Sequence, residues 1–343
     1  MLPAMFLAVT DPRLAFASPF VSGGADTYRL DRFPKAATDA LVGQIGPLAN
    51  VRSSAGCAVH LGTDSPWLEI HLSRLRHHQL VPQGIALEVD HPLGPLVTES
   101  QDLREREGDV IVRLATGLVP GEVRRCALHL PTISTVAIAG IRLAVGAAVA
   151  SVALPTPRWL AIGDSLTQGF SVQSPLATWV ARLERRLGLP AWNLGVGGIR
   201  IEPRAFTWAL DHQRWDLVTI ALGSNHGWRQ SEADAAPDLA AQLAEHALAG
   251  GHGRVVWILP PWKPMEEGKG PSEFCGIPLD RDTGARVGRV RQALTERLAT
   301  YAPQLELVGD LLPHDHRYYP DGLHPFALGF AKYADALAKH LGG

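Results

Sequence analysis

Apolar and polar residues alternate along several short segments in the first half of the chain, and Gly, Pro and Asp residues separate these segments. An alternation with a period of two predicts a β-strand that buries one of its faces. The segments comprise residues 67–72, 85–89, 110–114 and 123–130. Short strands with turn residues between them are typical of a β-sandwich or jelly roll, and we predict such an all-β domain over residues 1–154.

The pattern changes after the Pro-Thr-Pro sequence at 155–157, where continuous apolar runs replace the alternation. Runs of this kind are typical of strands that are buried on both faces of a parallel sheet. They alternate with segments of helical periodicity. The apolar runs are 159–163, 217–222, 254–259 and 305–308, and the helical segments are 176–187, 234–249 and 286–300. The sequence therefore predicts a three-layer α/β domain with a mostly parallel sheet over residues 155–343.

Composition agrees with two folded domains and excludes some classes of partner. The length of 343 residues favours two domains over one, and 46% hydrophobic residues supply a core for each. The 32 basic and 34 acidic residues nearly cancel, so we expect no interaction with nucleic acid or with an anionic membrane. The three cysteines, Cys57, Cys126 and Cys275, are odd in number and widely spaced, and we interpret them as buried thiols outside any disulfide framework or zinc site.

The N-terminus does not have the pattern of a secretory signal. Residues 1–7 are apolar but carry no basic leader, and charged residues follow soon after. The Ala-rich stretch near Phe16 leaves secretion open as an alternative. The longest apolar region, 134–154, contains Arg142 and two glycines, which favours strands over a membrane span. We therefore expect a soluble cytoplasmic protein.

A candidate nucleophile follows the first apolar run of the second half, where Ser165 lies in the sequence Gly-Asp-Ser-Leu. A serine hydroxyl needs a base to remove its proton and a third group to orient that base. Asp321 and His324 are three residues apart, so their side chains can lie on the same side of a turn. Pro325 suits the first position of a helix over 326–341. Each short motif alone is also a common surface turn.

Two further segments can supply hydrogen-bond donors to a developing oxyanion. A glycine-rich segment ends in Gly197 and Gly198, and the apolar run 217–222 is followed by Gly-Ser-Asn, which ends at Asn225. In an open parallel sheet the loops beyond the carboxyl ends of the strands converge. The backbone N–H groups of Ser165 and Gly198 and the side-chain amide of Asn225 would then provide three donors.

These four blocks in this order resemble the GDSL, or SGNH, family of serine esterases and acyltransferases. The resemblance covers residues 157–343 and implies a flavodoxin-like sheet. It implies that Ser165 is the nucleophile, and that Ser165, Gly198 and Asn225 are the oxyanion donors. It also implies that Asp321 is the acid and His324 the base of the site. The chain departs from the family at His226, where the family usually has Asp, and we interpret His226 as a hydrogen-bonded loop residue. The first half resembles, more loosely, the N-terminal sandwich of some two-domain members.

Aromatic residues are candidates for the walls of the site. Residues 260–284 form a long segment after the fourth apolar run, and loops of this length are often functional. We predict that Trp262 in this segment, together with Trp228 and Phe170, contacts the substrate, with surface packing as the alternative for each. Trp67 lies in an alternating strand, and we interpret it as part of the core.

The resemblance implies a two-step acyl transfer through a covalent acyl-enzyme, with neither a metal nor an organic cofactor. We expect hydrolysis of a small, acetyl-like ester of a carbohydrate or natural-product hydroxyl. An O-acyltransferase that uses the same site is the alternative. A non-catalytic binding protein on a hydrolase scaffold is a third hypothesis. The sequence leaves the acyl length and the oligomeric state open.

Overall fold

A computed structural model of the chain describes residues 4–41, 45–274, 277–280 and 282–343. It divides into two compact units. Unit 1 comprises the chain up to Phe33, Arg52–Thr156 and Val172–Leu176, and unit 2 comprises Pro34–Val51, Pro157–Ser171 and Ala177–Gly343. The long segment of unit 1 ends two residues after the boundary predicted from sequence, and each unit also takes a short segment from the other half. The prediction for Cys275 lies outside the described residues, whereas Cys57 and Cys126 are free, buried thiols.

Unit 1 is built from antiparallel strands, in agreement with the alternating sequence pattern. Its described strands are β1 Met5–Ala8, β2 Ala15–Ala17, β3 Phe20–Gly23, β4 Tyr28–Asp31, β5 Ala58–Thr63, β6 Trp67–His77, β7 Ala86–Val89, β8 Leu96–Glu99, β9 Gly108–Ala115, β10 Arg124–His129, β11 Ser134–Leu143 and β12 Val149–Ala150. One sheet has the order β3-β4-β11-β6-β9, with β1 also paired to β11, and the other has the order β12-β5-β10-β7-β8, with β2 paired to β5. The predicted sandwich is therefore confirmed.

The core of unit 1 is formed by the inward residues of both sheets. In β6 they include Leu68, Ile70 and Leu72, which are fully buried in one apolar cluster. Because side chains alternate between the two faces of a strand, Trp67 and Glu69 lie on the opposite face from these three residues. The guanidinium of Arg113 lies 3.9 Å above the Trp67 ring. The prediction that Trp67 belongs to the core is therefore wrong, and its ring instead makes a cation–π contact on the outer face.

Unit 2 contains the α/β domain. Its described helices are α1 Lys35–Asp39, α2 Ile45–Asn50, α3 Ser165–Gln168, α4 Trp179–Leu187, α5 Thr207–Leu210, α6 Gln230–Ala249, α7 Thr283–Leu298 and α8 Ala327–Leu341. Its described strands are β13 Trp159–Gly163, β14 Ala191–Gly195, β15 Leu217–Ala221, β16 Arg254–Ile258, β17 Glu273–Phe274, β18 Ile277–Pro278 and β19 Leu305–Val308. The apolar runs and helical segments of the sequence thus correspond to strands and helices of the structure.

The central sheet of unit 2 has the order β14-β13-β15-β16-β19, and all of its neighbouring strands are parallel. When its five strands are numbered in chain order within the sheet, the order is 2-1-3-4-5, which is that of a flavodoxin-like sheet. Helix α4 packs against α8, and α6 packs against α7, which gives the helical layers of a three-layer domain. The order reverses beside β13, so the loops after β13, β14 and β15 converge at the carboxyl end of the sheet.

Helix α4 illustrates why these segments fold as they do. Thr178 caps its N-terminus by accepting a hydrogen bond from the Ala181 N–H at 3.2 Å. Gly188 ends the helix in the left-handed conformation that glycine adopts without a steric penalty. Trp179, Val180 and Leu183 are buried, in accordance with the helical period. Across the described part of the chain, no helix has the length and apolar character that crossing a membrane requires.

Candidate active site

Ser165 lies immediately after β13, at the first residue of the short helix α3. The carboxylate of Asp164 accepts a hydrogen bond from the Leu166 N–H at 3.0 Å, which caps this helix and fixes the turn from strand to helix. The Ser165 hydroxyl is 2.9 Å from Nε2 of His324, although the two residues are 159 positions apart. Ser165 and His324 are 7% and 4% exposed. The fold therefore brings the predicted nucleophile and base within hydrogen-bond distance.

Asp321 orients the imidazole of His324 from the other side. Its Oδ2 is 2.8 Å from Nδ1 of His324, and its Oδ1 accepts the backbone N–H groups of Leu323 and His324 at 2.9 and 2.7 Å. Burial raises the pKa of Asp321, but these hydrogen bonds, with that of the His324 side chain foremost, hold the pKa below its usual value. Asp321 is thus ionised at neutral pH and accepts the Nδ1 proton of His324.

The predicted helix start at Pro325 is wrong. Helix α8 begins at Ala327, and its N-cap, Phe326, has an extended backbone. His324 therefore lies in the loop before the helix, held by Asp321 rather than by helical geometry. The ring of Phe170 stacks on the imidazole of His324, with 4.4 Å between centroids and 29° between planes. Phe170 is 2% exposed, so its side chain is buried, and it contacts the candidate base.

The predicted oxyanion donors lie in the loops after β14 and β15. Gly198 has a φ of 78°, a conformation that glycine adopts readily, and it is exposed. The side-chain amide of Asn225 donates one hydrogen to the Ile199 carbonyl at 2.9 Å, which ties the two loops together. An amide nitrogen carries two hydrogens, so the second remains available to a substrate oxygen. Strand β14 ends at Gly195, so the glycine loop that carries Gly198 begins at Val196.

A chain of buried amides supports this glycine loop. The Asn50 side chain donates to the Gly197 carbonyl at 3.0 Å, and the Gly197 N–H donates to the side-chain carbonyl of Gln168. The Gln168 amide in turn donates to Asn50 at 3.4 Å. A β-carbon on Gly195 would lie 2.1 Å from the Gln168 backbone nitrogen, so only glycine permits this close approach. Sequence reasoning missed Asn50 and Gln168, since neither lies in a catalytic motif and Asn50 is 147 residues from Gly197.

A buried lysine lies close to the acidic groups of the site. Lys263 is 5% exposed and precedes a 3₁₀ helix at Pro264–Glu267. Burial lowers the pKa of Lys263, while the carboxylates of Asp164 and Asp321 oppose this shift. Burial likewise raises the pKa of Asp164, and the Lys263 ammonium is the main group that offsets it. Lys263 therefore acts as the counter-charge for two carboxylates that adjoin the reacting groups. From the sequence, Lys263 is only one residue of the long segment 260–284, and nothing there indicates that it is buried.

Replacing Lys263 with methionine should destabilise the protein by about 3–5 kcal/mol, because a methionine of similar length removes the main charge that compensates the buried carboxylate of Asp164. Urea unfolding at pH 7 measures this difference. The control is Lys269→Met, whose side chain is 63% exposed and pairs with Glu267, and whose effect should stay below about 1 kcal/mol. Equal stabilities for the two variants would refute the counter-charge role of Lys263.

The two remaining predicted substrate contacts differ in exposure. Trp262 is 7% exposed and stacks on His314, with 5.0 Å between ring centroids and 17° between planes. Trp228 is half-buried, and its carbonyl accepts a hydrogen bond from Arg286 at 3.1 Å. Trp228 thus retains more accessible surface than either Phe170 or Trp262. Within the described residues, no group of three or more His, Cys, Asp or Glu side chains is arranged to hold a metal ion.

The sheet of unit 2 is parallel and has this strand order, and a Ser–His–Asp arrangement lies beyond its carboxyl ends. A protein with these features belongs to the class of SGNH serine hydrolases. The chain belongs to the GDSL-like lipase/acylhydrolase family, whose sequence model matches residues 161–332. A search of curated proteins finds none that matches the sequence.

Solved structures with the same fold span the full length of the chain. A salicylyl-acyltransferase, SsfX3, from a tetracycline biosynthetic pathway has a TM-score of 0.76 at 19% identity, over 99% of this chain and 97% of its own. A putative GDSL-like lipase from Bacteroides ovatus has a TM-score of 0.76 at 16% identity, over 99% and 98%. The acetyl xylan esterase Est2A from the rumen bacterium Butyrivibrio proteoclasticus has a TM-score of 0.62 at 10% identity, over 98% and 97%. At these identities the similarity establishes the fold.

Proposed function

We propose that this protein is a serine esterase in which Ser165 is the nucleophile, His324 the general base and Asp321 the orienting acid. The observation that carries the proposal is the continuous hydrogen-bonded chain from the Ser165 hydroxyl through His324 to Asp321, with distances of 2.9 and 2.8 Å. Because Asp321 accepts the Nδ1 proton, Nε2 presents its lone pair to the hydroxyl. This is the tautomer that general-base catalysis requires.

In the first half of the proposed reaction, the Ser165 oxygen attacks the ester carbonyl carbon while Nε2 of His324 takes the hydroxyl proton. The carbonyl oxygen gains the negative charge, and the N–H groups of Ser165 and Gly198 and the Asn225 amide stabilise it. The carbon–oxygen bond to the alcohol then breaks, and His324 returns the proton to the departing alkoxide. The products of this half are a free alcohol and an acyl group esterified to Ser165.

In the second half, a water molecule replaces the alcohol. His324 removes a proton from water as its oxygen attacks the acyl carbon, and the same donors stabilise the second oxyanion. When the intermediate collapses, His324 returns the proton to the Ser165 oxygen and a carboxylic acid is released. Every proton transfer passes through His324, so the reaction needs no further acid or base.

We propose a small, acetyl-like acyl group on a carbohydrate or natural-product hydroxyl as the substrate. The name of the acetyl xylan esterase among the similar structures supports the acetyl group and the carbohydrate hydroxyl, and the name of the acyltransferase from a tetracycline biosynthetic pathway supports the natural-product hydroxyl. Nitrophenyl esters of increasing acyl length test the proposal. We expect kcat/KM to be highest for acetate and to fall as the chain lengthens; equal activity on all lengths would contradict the small acyl pocket, and no activity on any would contradict the esterase.

Acyl transfer to an alcohol is the second candidate, favoured by the match of the whole chain to the salicylyl-acyltransferase structure. An alcohol attacks the acyl-enzyme with the same bond changes as water, and the partition depends on which acceptor the pocket holds. The ratio of new ester to free acid, measured with an acyl donor and candidate alcohols, separates the two activities. Hydrolysis as the main activity predicts mostly free acid at modest alcohol concentration, whereas predominant ester would assign the protein as an O-acyltransferase.

A further inference from the structure

His226 is a buried histidine that directly follows the candidate oxyanion residue Asn225. It is 1% exposed, and both of its ring nitrogens are engaged. Its Nε2 lies 2.7 Å from the backbone nitrogen of Ile201, and its Nδ1 lies 2.7 Å from the backbone carbonyl oxygen of Glu232. A backbone N–H can only donate and a carbonyl can only accept. These two partners therefore fix the imidazole as the neutral tautomer with its proton on Nδ1.

The two hydrogen bonds near His226 hold together the loops that carry two of the oxyanion donors. Asn225 donates to the carbonyl of Ile199, and His226 accepts from the N–H of Ile201. Ile199, whose carbonyl accepts, and Ile201, whose N–H donates, follow Gly198 by one and three residues. The segment that presents the Gly198 N–H is thus attached at two successive points to the loop that presents the Asn225 amide.

The surroundings of His226 maintain its neutral form. Burial lowers the pKa of His226, and Arg200 acts in the same direction, while the hydrogen bond to the Glu232 backbone and the Glu232 carboxylate oppose the shift. Arg200 from the glycine loop and Glu232 from α6 are the charged groups that face His226, and they form an ion pair with each other. This pairing leaves little net charge beside the ring.

We propose that neutral His226 is a positioning residue that sets the oxyanion loop of the proposed esterase by accepting the Ile201 N–H. The inference rests on the proposed function, since it concerns the geometry of the same site. Addition of a proton at Nε2 would turn the acceptor into a donor that faces another donor, and the hydrogen bond to Ile201 would be lost. The Gly198 donor would then move relative to the oxyanion, and a displacement of this kind lowers the rate of the chemical step by about 10²-fold.

Two substitutions separate this role from simple packing. In His226→Gln the side-chain oxygen can take the place of Nε2 and accept the Ile201 N–H without titrating. In His226→Asn the shorter amide reaches only the position of Nδ1. We expect the Gln variant to retain kcat within about 3-fold, and the Asn variant to lose about 10–100-fold in kcat with KM nearly unchanged.

The pH profile gives a second readout that packing would not produce. As the pH falls from about 8 to about 4.5, the kcat of wild type should decrease more steeply than that of the Gln variant, because only wild type carries at position 226 a side chain that can gain a proton and lose its acceptor. Equal kcat in the Asn and Gln variants, or identical acid limbs in wild type and the Gln variant, would overturn the proposal.

Nitrogen-15 NMR of the wild-type imidazoles tests the arrangement without catalysis. We expect His226 to show a protonated Nδ1 and an unprotonated Nε2 at pH 7, and an Nε2-protonated tautomer would overturn the proposal even if a variant failed to fold. Failure of the proposed function has a different signature: wild type would then hydrolyse no ester, whatever the tautomer. If wild type is active but shows the other tautomer, or if the Asn variant is as active as wild type, the role of His226 is refuted while the proposed esterase activity stands.

Discussion

Replacing Ser165 with alanine is expected to lower kcat for hydrolysis of a nitrophenyl ester by about 10⁶-fold, to the limit set by the remaining donors. The substitution removes the atom that attacks the ester carbonyl, and no other group can form the acyl-enzyme. The fold should persist, because the capping hydrogen bond runs from the Leu166 N–H to Asp164 and does not involve the Ser165 hydroxyl. Steady-state kinetics, with the thermal midpoint as a check of folding, measure this effect.

The matched control is Ser231→Ala, which removes an exposed hydroxyl from helix α6 in the same unit. Its kcat should equal that of wild type within about 2-fold, since exposed substitutions of this kind change stability by about 0.5 kcal/mol or less. If the Ser165 variant kept the activity of the Ser231 variant, Ser165 could not be the nucleophile.

Replacing Asp321 with asparagine is expected to lower kcat by about 10⁴-fold at neutral pH. The asparagine oxygen can still accept the backbone N–H groups of Leu323 and His324, so the loop should keep its shape. Its NH₂ group, however, would face Nδ1 of His324 and select the tautomer with the proton on Nε2. That tautomer has no lone pair available to the Ser165 hydroxyl.

Asp310→Asn is the matched control for the Asp321 variant. Asp310 is 88% exposed, and it has a φ of 52°, a conformation that asparagine also tolerates. We expect its kcat to stay near the wild-type value. An Asp321→Asn variant within about 10-fold of this control would show that the carboxylate does not set the tautomer of His324.

The sequence was sufficient to predict the features that depend on local periodicity. Alternation along 67–72 and 110–114 identified strands, and the continuous runs at 159–163 and 217–222 identified buried parallel strands, because each pattern reflects which faces a strand buries. The same alternation places Trp67 in phase with Glu69, on the polar face of its strand. The prediction of a core position for Trp67 rests on its large aromatic side chain and not on its register, and it is wrong for that reason.

The chemistry of the site could be predicted as far as it is encoded in short motifs. The Asp321–His324 pair is local, so its geometry follows from a spacing of three residues. The contacts of Asn50 with the glycine loop, the burial of Lys263 and the stacking of Phe170 on His324 are long-range. They depend on where the chain returns in space, and the residue types involved carry no periodic signal.

Labelling with a fluorophosphonate tests the central claim most directly, because this probe forms a covalent bond only with a serine that is activated by a neighbouring base. Intact-mass spectrometry followed by peptide mapping gives both the number and the position of the adducts. We predict one adduct per chain, on Ser165, and none in the Ser165→Ala protein. Wild type that remains unmodified, as a non-catalytic binding protein would, or that carries its adduct on another serine, would contradict the assignment of Ser165 as the nucleophile.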